Sequence, residues 1–136
     1  MDQGTGLSGK KILIVDDDPG VIKGLSESLK SENCIIDTAV DGLEAFEKIA
    51  SDEYDLILSD MMMPGLSGQK LYKYMSEVKP YLIHRCILIT GAMNDQLAAF
   101  CESVNLPYLQ KPFSPQDLKK IIGSVLLRNE KKAPSL

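Results

Sequence analysis

Four short polar clusters, far apart in the sequence, each close an apolar run. Asp16-Asp17-Asp18 follows Ile12–Val15, Ser59-Asp60 follows Leu56–Leu58, Thr90-Gly91 follows Ile87–Ile89, and Gln110-Lys111-Pro112 follows Tyr108-Leu109. In an open parallel sheet, ligands bind beyond the carboxyl ends of the strands. If these runs are neighbouring parallel strands, then carboxylates, a hydroxyl and an ammonium meet at one edge. Carboxylates gathered this way repel and need a compensating cation. Oxygen donors at that density suit Mg²⁺, which keeps several waters while taking one or two carboxylates and phosphate oxygens. The hydroxyl of Thr90 and the ammonium of Lys111 are then placed for the remaining oxygens of a phosphoryl group. The chemistry implied is phosphoryl transfer onto a carboxylate, a recognised covalent nucleophile. Asp18 reads as a helix cap, since Pro19 follows it. Asp60 does not, because Met61-Met62-Met63-Pro64 opens no obvious helix.

The elements that must position these residues alternate five times. Continuous apolar, β-branched runs suit strands buried on both faces of a parallel sheet. A second, weaker strand covers Ile35–Ala39. Helix starts stand between the runs. Asp18-Pro19 precedes Val21, Ile22, Leu25 and Leu29, and the Asp41–Glu44 capping box precedes Leu43, Phe46 and Ile49. Ser67 precedes Leu71, Tyr72, Met75 and Val78. Asn94 precedes Leu97, Ala98, Phe100 and Cys101, and Ser114-Pro115 precedes Leu118, Ile121, Ile122 and Val125. Five strand–helix units with right-handed crossovers give one parallel sheet with helices on both faces.

The 136 residues fit one domain able to bury a core without staples. Residues 10–128 form that domain, between polar ends at 1–9 and 129–136 that are expected to fray. The net charge of −4 argues against direct nucleic-acid binding, and 6% aromatics without Trp argue against a stacking platform. Cys34, Cys86 and Cys101 form no CxxC pair, which disfavours a disulfide framework or a zinc site and favours a reducing, cytoplasmic setting. No apolar run approaches a membrane span. The lone His84 lies before the fourth strand, at the edge opposite the acids, and reads as a surface or packing residue. Tyr72 and Tyr74 read as helix packing residues. Lys119, Lys120, Arg128, Lys131 and Lys132 make a basic, solvated final helix face.

The motif set Ile12–Pro19, Leu56–Gly68, Ile87–Gly91 and Tyr108–Phe113, in this order, resembles the receiver domain of two-component response regulators over about residues 10–128. The resemblance implies a flavodoxin-like (βα)5 three-layer sandwich with strand order 2-1-3-4-5. It makes Asp60 the phosphoacceptor for a phosphoryl group from a histidine. Asp17 and Asp60 become direct ligands of Mg²⁺ (or Mn²⁺), with Asp16 acting through water and the Met62 backbone carbonyl as a further ligand. Thr90 and Lys111 bond the phosphoryl oxygens, Lys111-Pro112 is cis, and Tyr108 is the switch aromatic that moves with Thr90. The implied partners are a histidine kinase or histidine phosphotransfer domain, approaching near Val21–Leu29. A homodimer is implied through helix four (about 95–103), strand five and helix five (about 115–127). Such a domain is not a stand-alone enzyme; its chemistry is self-phosphorylation and autodephosphorylation at Asp60. Gly91 stands where alanine is more familiar, and Met62 and Ala92 where polar side chains often sit.

The alternative context is a relay or phosphate-sink receiver cut from a hybrid histidine kinase. Asp16-x-Asp18 after a strand is also similar to haloacid-dehalogenase-type phosphatases, but Gly20 and Pro19 break that motif and the chain is short for the fold. A flavodoxin-like cofactor protein lacks its phosphate loop here, and three acids would repel a flavin phosphate.

Overall fold

The computed structural model describes residues 5–60, 62–63 and 66–131, and the side chains of 61–66, 130 and 131 lie outside that description. Five parallel strands form the sheet: β1 (Lys11–Val15), β2 (Ile35–Ala39), β3 (Leu56–Asp60), β4 (Cys86–Thr90) and β5 (Tyr108–Gln110), in spatial order β2-β1-β3-β4-β5. The helices are α1 (Pro19–Leu29), α2 (Gly42–Ser51), α3 (Gly68–Val78), α4 (Asp95–Val104) and α5 (Pro115–Lys131). This is the flavodoxin-like order expected, with the topological reversal between β1 and β3.

Two cores explain why the strands are apolar without alternation. Leu13, Val15, Ile57 and Leu88 enter a core beneath α2, α3 and α4. Ile12, Ile14, Leu56, Leu58, Ile87 and Ile89 enter the opposite core beneath α1 and α5. Successive side chains point to opposite faces, and here both faces are covered. The tyrosines pack as expected: Tyr74 lies 4.4 Å from Phe46 between ring centroids, and Tyr72 meets Phe100 edge-on at 5.6 Å.

The caps form as read. Asp18 accepts from the Gly20 amide at 2.8 Å, Ser67 from Lys70 at 3.1 Å, Asn94 from Leu97 at 2.8 Å and Ser114 from Asp117 at 3.0 Å. Asp41 accepts from the Glu44 amide at 2.8 Å, and Glu44 reaches back to the Val40 amide at 2.8 Å, one residue further than a capping box requires. After β3 the chain makes no helix. Met62–Met63 instead pairs antiparallel with Leu66–Ser67 directly before α3.

Several expectations are corrected. Leu43 and Val78 are exposed, at 69% and 43%. The buried stripe of α2 runs through Ala45 and Ile49, and Leu43 lies two residues away from it, about 200° round the helix. Val78 ends α3, where the chain turns into a 3-10 segment at Pro80–His84. The expected N-terminal fraying does not extend to Thr5 and Leu7, which are buried, and α5 continues past residue 128 to Lys131. Lys119 is not simply solvated, since it pairs with Glu32 at 3.5 Å. The outer parts of the expected tails, 1–4 and 132–136, lie outside the described residues. The cysteines are free, and burial pushes the Cys86 thiol up to about 12. Among the described residues no helix is long and apolar enough to cross a membrane.

The edge strand β2 is secured by a polar cluster. Asp37 accepts from the Tyr54 hydroxyl at 2.6 Å and from Lys48 Nζ at 2.9 Å. Burial pushes the Asp37 carboxyl up, but these bonds and one from the Thr38 amide outweigh it and hold the group below its ordinary value of 3.8. A carboxyl depressed on folding stabilises above its unfolded pKa and loses that contribution as pH falls through the folded one. Asp37→Asn should therefore cost ~1–2 kcal/mol at neutral pH. The gap between the urea melts of the two proteins should begin to narrow as pH falls below about 4 and close only below the folded pKa of Asp37. A difference that stays constant from pH 7 to pH 3 would show that the Asp37 charge contributes nothing.

Candidate functional site

The sheet register brings the polar strand ends together. Val15 pairs with Ser59, Asp60 with Ile89 and Thr90 with Gln110. Asp60 and Thr90 are the last residues of β3 and β4 rather than residues beyond them, so backbone ladders fix both. Asp16 follows β1 but is also held, because its amide donates to the Ala39 carbonyl at 3.1 Å. The Lys111 amide donates to the Thr90 carbonyl at 2.7 Å, which ties the residue after β5 to the end of β4. The Lys111-Pro112 peptide is cis, as the resemblance implied.

Asp16 is the floor of the site, 1% exposed. One carboxylate oxygen accepts from the Asp18 amide at 2.9 Å, and the other faces Lys111 Nζ at 3.3 Å. The same ammonium stands 3.9 Å from Asp60 Oδ2. Asp17 is exposed and Asp60 is half-buried. One carboxylate oxygen from each of Asp16, Asp17 and Asp60 lies within 4.8 Å of the others. Three carboxylates against one lysine leave a surplus of negative charge in a partly desolvated spot. Hard oxygen donors at these separations fit a divalent ion of the Mg²⁺ kind.

Thr90 is 1% exposed, and its hydroxyl oxygen accepts from the Ala92 amide at 3.1 Å. Gly91 lies along the Lys111 stem, where an added Cβ would meet Lys111 Cδ at 3.8 Å, an ordinary contact. Asp18 stands apart from the cluster as a helix cap. Met62, two residues past Asp60, opens the short antiparallel pair, while Met61 and the methionine side chains lie outside the described residues. His84 sits at the opposite edge, its carbonyl accepting from Asn129 Nδ2 at 2.6 Å.

Tyr108, the first residue of β5, is 41% exposed. It borders a groove of about 450 Å³ between α4 and α5, with Cys101, Glu102 and Arg128. A second groove of about 320 Å³ adjoins Lys111 and runs between α1 and the turn after β5, lined by Val21, Gly24, Leu25, Pro112 and Phe113. Gly24 has no role in the sequence reading, and Phe113 only closes the motif that begins at Tyr108. A glycine inside an amphipathic helix was the available signal, and an added Cβ there would meet nothing within 4 Å. Ser59, named in the sequence only as part of the Ser59-Asp60 cluster, has a buried hydroxyl that donates to the Asp60 carbonyl at 3.0 Å, against the residue at the centre of the site.

Comparison with known proteins agrees with this geometry. The family model of the response regulator receiver domain matches residues 12–123. The chain is 32% identical over 131 residues to the alkaline phosphatase synthesis transcriptional regulatory protein PhoP of Bacillus subtilis, covering 93% of this chain and 52% of that protein. It is 37% identical over 120 residues to the transcriptional regulatory protein ResD of the same organism, covering 87% and 48%. The chain thus spans about half the length of these curated relatives. The crystal structure of a CheY-like receiver domain protein from Methanospirillum hungatei superposes with a TM-score of 0.84 at 28% identity, covering 93% of this chain and all of that one. With the strand order, the acid cluster and its lysine all in place, the chain belongs to the response regulator receiver domain family, whose general function in two-component signalling is to take a phosphoryl group onto an aspartate.

Proposed function

We propose that Asp60 is the phosphoacceptor of this chain and that its donor is a phosphohistidine on a histidine kinase or phosphotransfer domain. The observation that carries this reading is the cluster of Asp16, Asp17 and Asp60 under one lysine. Asp60 is the member with a backbone fixed by the β3–β4 ladder and a carboxylate open enough to react. A carboxylate oxygen of Asp60 attacks phosphorus, the P–N bond to the histidine breaks, and its electron pair returns to the imidazole nitrogen. Receiver domains generally bind Mg²⁺ at an acidic pocket and act as signalling modules rather than enzymes. Here Asp17 and Asp60 would hold Mg²⁺ or Mn²⁺ directly, Asp16 through water and Met62 through its carbonyl, and such an ion would supply neutralisation of charge on the transferring group. Asp16 fits the indirect role because both its oxygens already have partners.

Lys111 then turns from Asp16 toward a phosphoryl oxygen, and the Thr90 hydroxyl swings from the Ala92 amide to another. That movement opens space beside β5 for Tyr108, which passes from exposed to buried. Both conformations pre-exist, and phosphorylation shifts their populations by its differential contacts. The α4–β5–α5 face is the output surface, for a partner or a second copy, and direct nucleic-acid contact is not part of the role. The groove beside Lys111 is the approach for the phosphohistidine. The same site would also serve a relay or phosphate sink within a hybrid kinase; in that case phosphorylation leaves Tyr108 and α4 unmoved.

Acetyl phosphate with Mg²⁺ should add a single phosphoryl group to the wild type and none to Asp60→Asn, read by intact-mass spectrometry. Equal labelling of the variant would refute the assignment. Mg²⁺ in several-fold to tens-fold excess over its Kd should stabilise the wild type by ~1–2 kcal/mol. Asp17→Asn should remove most of that gain, and without metal it should melt no lower than wild type because it relieves repulsion. A wild-type melting temperature unmoved by millimolar Mg²⁺ would count against the metal site. Beryllofluoride, a phosphoryl mimic, should shift the NMR signals of Tyr108 and α4. Shifts confined to the acid pocket would select the relay reading.

A further inference from the structure

We propose that residues 5–9 act as a clamp tying α5 to the end of α1, so that α5 stays in place while conformational change is confined to α4 and β5. Leu7 is fully buried in the core that holds Leu25 and Leu29 of α1 and Leu118, Ile122, Val125 and Leu126 of α5. The Thr5 amide and hydroxyl both donate to Glu32 Oε1, at 3.3 and 2.8 Å. Glu32, just past α1, pairs through its other oxygen with Lys119 of α5 at 3.5 Å. One carboxylate therefore joins three segments. Burial raises the Glu32 carboxyl, but the Thr5 bonds and Lys119 outweigh it and keep the group below its ordinary value.

The local sequence builds this path. Gly6 at φ 88° and Gly9 at φ 78° hold backbone conformations that other residues rarely adopt. The chain is closed between them by Lys10 N–H to the Leu7 carbonyl at 2.8 Å, and anchored by Gly9 N–H to the Asn33 carbonyl at 2.9 Å. On α5, an added Cβ at Gly123 would lie 3.8 Å from the Thr5 backbone, an ordinary contact, so the clamp runs directly over this helix.

The contrast with α4 gives the clamp its consequence. Of α4, Leu97 and Cys101 are buried and Phe100 and Val104 are partly buried against the core, whereas α5 buries Leu118, Ile122, Val125 and Leu126; an open groove lies between the two helices. Elements with few buried contacts open locally at low free-energy cost, whereas well-packed ones open only near global unfolding. A helix pinned at four core positions, by a buried leucine from another segment and by an ion pair does not follow its neighbour.

Amide hydrogen exchange on the full chain tests this, and its first arm needs no phosphoryl mimic. Leu7→Ala should speed exchange across residues 118–126 by at least about tenfold while leaving α3 unchanged. The double variant Thr5→Val, Glu32→Gln keeps every core side chain and should speed it about threefold. Exchange over 118–126 that matches wild type in both variants would overturn the clamp, as would a speeding equal in α3 and α5. In the second arm, beryllofluoride should alter exchange in α4 but not over 118–126 of the wild type, and should alter both in the double variant. Wild-type α5 responding as strongly as α4 would overturn the confinement. Silence of the whole chain to beryllofluoride would instead sink the phosphoacceptor reading, and the first arm would still decide the clamp.

Discussion

A carboxylate buried at the end of a central strand has to be compensated, and the pairing of Asp16 with Lys111 is the constraint around which the site is arranged. The two residues are 95 positions apart, so the pair forms only if β1, β3, β4 and β5 lie in the right order and register. An isolated charge in such a place is strongly destabilising, whereas a hydrogen-bonded pair is tolerated. Asp18 completes the arrangement, its amide filling the second oxygen of Asp16 while its side chain caps α1 in the same turn. Correct folding of the sheet and correct assembly of the acid cluster are thus one event.

The same lysine makes the cluster responsive. It stands 3.3 Å from Asp16 and 3.9 Å from Asp60, so a small change in charge decides which oxygen it favours. A phosphoryl group on Asp60, as proposed, would add negative charge and strong acceptor oxygens at that end. A divalent cation acts in the opposite sense on the carboxylates, relieving their mutual repulsion and leaving the ammonium less tightly held. Thr90 occupies a comparable position among the neutral groups. Its hydroxyl oxygen accepts from the backbone of Ala92 and can exchange that bond for donation to an anion. Neither rearrangement requires a strand to move.

The central features of the fold were legible because several levels of the sequence agree. Apolar runs of the right length, cap residues before each helix, and polar residues at the run ends all point to one parallel sheet with its site at one edge. Asp60, Thr90 and Lys111 could be placed because each closes an apolar run, and the ends of parallel strands meet at one edge. Leu43 could not be placed from spacing, since in α2 the buried stripe is set by Ala45 and Ile49 and helical periodicity admits more than one face. Asp37 looked like an irregularity in a weak strand. Its role depends on Tyr54 and Lys48, which approach from other elements. Leu7 was hidden by its polar neighbours, because one apolar residue in a stretch of Gly, Ser and Thr carries no periodic signal. Its burial is a tertiary fact, created where it joins the core shared by α1 and α5.

Stability is consequently uneven around the sheet in a way that suits a signalling domain. On the α1–α5 side, a continuous apolar core is closed by Leu7 and by the bonds of Glu32 to Thr5 and Lys119. On the other side, α2 and α3 are joined by Phe46 and Tyr74, while α4 buries Leu97 and Cys101, packs Phe100 and Val104 against the core, and faces α5 across an open groove. The acid pocket touches both halves through the ends of β1, β3 and β4. On the proposed reading, strain introduced there would be relieved at the α4 and β5 edge beside Tyr108 rather than at the clamped helix beyond it. A domain of this kind needs no long pathway between site and surface. Thr90 ends the strand that leads into α4 and pairs with Gln110 of β5, so the responsive edge begins one residue from the chemistry.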